Sequence, residues 1–188
     1  MRLITRLLIA SLLVVLVLIG SVSDSSAHGT ILRARATISG AAGSGISGEV
    51  LFFQARTGVP AEVLILARVE GLAPNTVHGF HLHENGTCAP DFAAAGGHFD
   101  PGPFGMPNPD ANHPFHMGDM PNLRADSNGV AKFEHVTSRV TIAPGPLSLF
   151  DANGSSVIVH LNEDQGTTGV PGGSGGPRIA CGVIEMVN

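Results

Sequence analysis

"GEVLFFQAR" at residues 48–56 and "EVLILARVEG" at residues 62–71 decide the fold class. Each is a short run in which apolar or β-branched residues alternate or follow one another, and Gly58 and Pro60 lie between them. Such runs read as strands joined by a turn, not as helices. The same pattern recurs in "TILRARATISG" (30–40), "HGFHLHE" (78–84), "GVAKFEHVT" (129–137), "RVTI" (139–142), "SSVIVHL" (155–161) and "RIACGVIEM" (178–186). Gly and Pro supply 38 of the 188 residues, "DSNG" and "DANG" carry turn chemistry, and no long segment has a 3.6-residue period. Eight strands predict an all-β, antiparallel sandwich or barrel.

Two regions break the rhythm. Residues 85–124 and 162–177 show no strand pattern and are rich in Gly, Pro, Asp and His. Loops of that length in a small domain are functional or disordered, and the histidines of the first favour function. The low-complexity "GTTGVPGGSGGP" (166–177) reads as a loop tied at both ends, because Cys181 and a strand follow at once.

The first 27 residues stand apart. "MRLITR" carries two arginines, "LLIASLLVVLVLIG" is a 14-residue apolar run, and "SVSDSSA" ends in Ser25 and Ala27, as a signal peptidase requires. The run is shorter than the roughly 20 residues of a membrane span. The expectation is export with cleavage after Ala27, leaving one domain, residues 28–188, in a periplasm or outside the cell and free of the membrane. Without Arg2, Arg6 and Asp24 the chain's 10 basic and 15 acidic residues become 8 and 14, a net charge of −6. Lys132 is its one lysine. That surface excludes nucleic acid and anionic membranes as partners. Cys88 and Cys181, far apart in an exported chain, read as one disulfide closing a long loop; their number and spacing do not suit a zinc-cysteine site.

The chemistry concentrates in "HGFHLHENGTCAPDFAAAGGHFDP" (78–101), with four of the chain's nine histidines. Residues i and i+2 of a strand share a face, so His81 and His83 project together while Phe80 and Leu82 face the core. Side by side they suit neutral rings that share a metal such as zinc, copper, iron or nickel. His160 ends another apolar strand, His98 and His116 frame the first long loop, and "HPFHMGD" spaces His113, His116 and Asp119 three apart. His28, His78 and His135 read as surface or structural histidines.

In wording, spacing and order, "HGFHLHENGTC", "GGHFDP", "HMGDMPNL", "SSVIVH" and "GGSGGPRIACGVI" resemble the copper-zinc superoxide dismutases, in the short-loop form of bacterial exported enzymes. The resemblance runs from about residue 30 to the C-terminus. It implies an eight-stranded Greek-key β-barrel, superoxide as substrate, and copper and zinc as cofactors. Residue by residue it implies that His81, His83, His98 and His160 bind copper, with His98 bridging to zinc and carrying a proton. His116 and Asp119 match zinc ligands, and Asp164 matches a carboxylate that orients ligands of both metals. Cys88 and Cys181 match the family's disulfide, and Arg178 matches the arginine beside copper. With −6 on the domain and no lysine in "HLNEDQGTTGVPGG", Arg178 and the copper charge are left to attract the anion.

One departure stands out. Phe104 falls where relatives carry a further zinc-binding histidine, and His113 is expected to replace it as fourth ligand. The alternative from another class is a dismutase-like copper-binding module without turnover. The sequence leaves monomer and homodimer open.

Overall fold

A computed structural model describes residues 31–55, 62–101, 116–166 and 175–187. Its strands are β1 (Ile31–Gly40), β2 (Ser47–Ala55), β3 (Val63–Glu70), β4 (Val77–His78), β5 (Phe80–His83), β6 (Leu123–Arg124), β7 (Ala131–Thr137), β8 (Ser156–His160) and β9 (Arg178–Met186). The strands all pair antiparallel. A seven-stranded sheet runs β5-β8-β9-β1-β2-β3-β7, and β4 pairs with β6. Only Gly79 separates β4 from β5, and Ala125, just past β6, bridges to Ala131 at the start of β7. The ends of the sheet are thereby drawn together into a cylinder. After the β1-β2-β3 meander the chain crosses to the far edge, and β7 returns beside β3, which is a Greek key.

Period-2 alternation builds the interior. In β1, Ala34, Ala36 and Ile38 are buried while Arg33, Arg35 and Thr37 are exposed. Phe52, Ile65, Phe80, Leu82, Val157 and Val159 meet the same core from four other strands. Burying a side chain of this size is worth roughly 1.5–3 kcal/mol, so a one-residue register slip in any strand would be costly. β8 differs because all five of its residues are buried. Val157 and Val159 face the barrel interior, while Ile158 packs outside it with Ala95 and Cys181, against Cys88 and Phe92. The long loop is therefore a roof over β8.

Among the described residues the strand count is eight if β4 and β5 are one strand interrupted at Gly79, but its membership differs from the sequence reading. "RVTI" is not a strand. Val140 and Ile142 are buried, yet Thr141 makes only an isolated bridge to Ser148. The Gln54 Oε1 accepts from the Ile142 and Ala143 amides at 2.5 and 2.9 Å, so a side chain replaces the neighbouring strand. Conversely β6 lies in the segment read as loop, and two residues are too few to show a period. His28, His113, Phe104 and the proposed signal segment lie outside the described residues.

Candidate metal centre

The first long loop turns back along β5. His83 bridges to His98 and His81 to Asp119. Phe99 N–H donates to Leu82 O at 2.8 Å, Leu82 N–H to Gly118 O at 2.9 Å, and Gly118 N–H to Phe99 O at 2.8 Å. Phe99 is buried and anchors this stitch. Gly118 is required by close approach, since a Cβ there would collide with the Leu82 carbonyl oxygen. Two distant points of the loop are thus held beside the histidine strand.

His81, His83, His98 and His160 each offer a ligand atom, and these atoms lie within 4.8 Å of one another. The His81 ring centroid is 4.1 Å from that of His98 and 4.8 Å from that of His160. Three of the rings are fixed from behind. His81 Nε2 lies 2.7 Å from Asp164 Oδ2, His83 Nδ1 is 3.0 Å from Gly96 O, and His160 Nδ1 is 2.8 Å from Gly176 O. A carbonyl only accepts, so His83 and His160 carry their proton on Nδ1 and present the Nε2 lone pair. His81 Nδ1, His83 Nε2 and His160 Nε2 are buried and have no hydrogen-bond partner in the protein. An unmatched buried polar atom costs about 1–3 kcal/mol, and a cation would satisfy these three together.

Electrostatics keeps the rings neutral. Burial pushes His160 down to about 3, with the neighbouring His81 adding to the effect. Burial also holds His83 well below the ordinary imidazole range, helped by His98 and Arg178. His81 is lowered by burial against the opposing pull of Asp164. Neutral imidazole is the form that binds metal.

A second group, His98, His116 and Asp119, shares His98 with the first. His98 Nδ1 lies 2.6 Å from Asp119 Oδ1, and the His116 amide donates to Asp119 Oδ2 at 3.0 Å. Burial opposes ionisation of Asp119, but hydrogen bonds from His116 and His98 outweigh it and hold the carboxyl below the usual carboxylate range. Two imidazoles and a carboxylate are a donor set that zinc takes.

Other predicted residues fall around these groups. Asp164 is clamped by a residue that the sequence reading missed. Asn122 Nδ2 donates to Asp164 O at 2.9 Å, and Asp164 N–H donates to Asn122 Oδ1 at 3.0 Å. Arg178 pairs across from His160, and its Nη1 and Nη2 donate to Phe92 O at 2.6 Å and Gly96 O at 2.5 Å. Gly96 O thus serves both Arg178 and His83. Cys88 and Cys181 form a disulfide, Cα to Cα 5.9 Å. His78 is structural, bonded to Thr76 Oγ1 at 2.7 Å and to His160 O at 2.8 Å. His135 is half-buried on β7 and belongs to neither group. Backbone carbonyls and a lone Asn carry no sequence signature, which is why these supports were not found.

Two donor groups joined by one histidine agree with what comparison finds. The family model described as copper/zinc superoxide dismutase matches residues 46–184. The chain belongs to this family. A copper-zinc superoxide dismutase of Caulobacter vibrioides is 42% identical over 135 residues, 69% of this chain and 75% of that protein. Another from Saccharomyces cerevisiae is 38% identical over 152 residues, 77% of this chain and 93% of that protein. A solved structure described as the clock protein EA4 superposes with a TM-score of 0.65 at 28% identity, covering 82% of this chain and 94% of that one. The enzyme is an oxidoreductase that acts on superoxide, and its metals are copper and zinc.

Proposed function

We propose that the chain is an exported dismutase, cut after Ala27 and working as the domain 28–188 in a periplasm or outside the cell, unattached to the membrane. The arginine-flanked apolar leader supports this, as does a disulfide suited to an oxidising compartment. His81, His83, His98 and His160 hold copper. His98, His116, Asp119 and His113 hold zinc, with His113 as the replacement fourth ligand. The carrying observation is the convergence of three buried, unmatched ring nitrogens whose opposite nitrogens are each engaged.

Bound copper supplies the one-electron exchange that turns one superoxide into oxygen and a second, with two protons, into hydrogen peroxide. The protein supplies the rest. Arg178, with two of its five N–H donors committed to carbonyls, docks the anion with the others. Asp164, Gly96 and Gly176 keep three imidazoles aimed inward. His98, oriented by Asp119, holds and releases a proton on the ring nitrogen that Asp119 does not engage. Mass analysis and elemental analysis of protein matured in an export compartment should give a chain starting at His28 with one copper and one zinc. His113→Ala should lose zinc and keep copper; retained zinc would remove His113 from the ligand set.

A further inference from the structure

The turn that carries His116 and Asp119 is held on one side by β5, through the Gly118 bonds to Phe99 and Leu82. Its other side faces a residue that no part of the mechanism uses. Arg139 lies two residues past β7, where its amide donates to Thr137 Oγ1 at 3.1 Å. Its guanidinium points at the turn. Nη2 donates to His116 O at 2.5 Å and Nη1 to Asp119 O at 3.3 Å. Within the turn, Asp119 N–H donates to the same His116 O at 3.1 Å, and the His116 amide donates to Asp119 Oδ2 at 3.0 Å.

We propose that Arg139 is a positioning residue for the zinc half of the site: its planar fork grips the backbone of both His116 and Asp119 and so aims ring and carboxylate together. The inference rests on the reading of His116 and Asp119 as zinc ligands. A fixed fork of N–H donors can span two carbonyls, whereas an ammonium is a single point of charge on a flexible stem. Because Asp119 also engages His98, a shift of the turn would reach the shared histidine. A cavity of about 370 Å³, bordered by Asp119, Asn122, His135, Arg139 and Asp164, adjoins the guanidinium. Water has room to replace the lost donors, so truncation should preserve the fold and cost aim. Partners one step removed from a metal typically change affinity by about 10–100-fold when deleted.

The test uses the mature chain with Arg139→Met and Arg139→Lys. Zinc release to a chromophoric chelator, the visible spectrum of cobalt(II) loaded in place of zinc, copper retention and the urea midpoint of metal-free protein are measured together. R139M should release zinc about 10–100-fold faster and alter the cobalt spectrum, with copper retention and the metal-free midpoint close to wild type. R139K should restore only part of the loss, and it carries the same test if R139M does not fold. Unchanged zinc release and cobalt spectrum in both variants would overturn the proposal. So would equal losses of copper, zinc and metal-free stability, which would make Arg139 a general support. Wild-type protein that takes up no cobalt would overturn the ligand reading, and the proposal with it.

Discussion

Reducing the Cys88–Cys181 bond should cost the metal-free protein far more than any surface change. The two residues are 93 positions apart. In the chain-entropy treatment, a closed loop of that length removes about 15–16 cal/mol/K from the unfolded ensemble, or about 4–5 kcal/mol at 25 °C. For a domain of this size each kcal/mol moves the melting midpoint by roughly 2–4 °C, so a fall of about 8–20 °C is expected. The structure adds a second consequence. Cys88 sits on the loop that supplies Phe92 O and Gly96 O to Arg178, and Gly96 O to His83. Ile158 and Ala95 pack on the buried Cys181 from the same side. Freeing the loop should therefore lower activity in protein that still contains copper. The assay compares urea unfolding and dismutation of oxidised protein, reduced protein and the Cys88→Ser/Cys181→Ala double variant. A stability loss below about 1 kcal/mol, or two titratable thiols in denatured but unreduced protein, would refute the reasoning.

Arg178→Ala should lower the dismutation rate severalfold to tenfold or more with copper content unchanged, and Arg178→Glu should be worse; equal rates in all three proteins would remove Arg178 from docking. Gly118→Ala drives a methyl against the Leu82 carbonyl oxygen, so it should destabilise the protein by about 1–3 kcal/mol and loosen zinc, measured by urea midpoint and chelator release. Metal-free protein should lose stability as pH falls from about 6.5 towards 3. His160 titrates near 3 when folded and near 6.5 when unfolded, so below 6.5 the unfolded chain binds the extra proton. His81 and His83 shift in the same direction. A metal-free urea midpoint that is equal at pH 7.5 and pH 5 would contradict this.

The barrel was legible in the alternation of β1, β2 and β3, where each strand has one face in the core and one in water. It was illegible where pairing is not carried by a strand. "RVTI" has the apolar content of a strand, but Gln54 reaches across to bond its amides, and no single-sequence pattern marks that exchange. β6 failed for the opposite reason, being two residues long. For the site, His81 and His83 followed from strand periodicity alone. His98 and Asp119 stood out by their place and spacing, but their roles came only through the family resemblance, because the stitch through Leu82, Phe99 and Gly118 that sets them beside β5 is long-range backbone bonding. Arg139 and Asn122 work through backbone atoms of other residues, so their side chains advertise nothing.

The central claim is that the four-histidine group and its three-residue neighbour form one dismutating centre. The most direct measurement is superoxide decay after pulse radiolysis, in excess EDTA to silence free copper, with the copper- and zinc-loaded mature domain against the metal-free domain and His81→Ala. The loaded wild type should remove superoxide catalytically, at many turnovers per chain, while the metal-free domain and His81→Ala leave only spontaneous decay. A loaded wild type that does no better than the metal-free domain, with copper shown to be bound, would contradict the account.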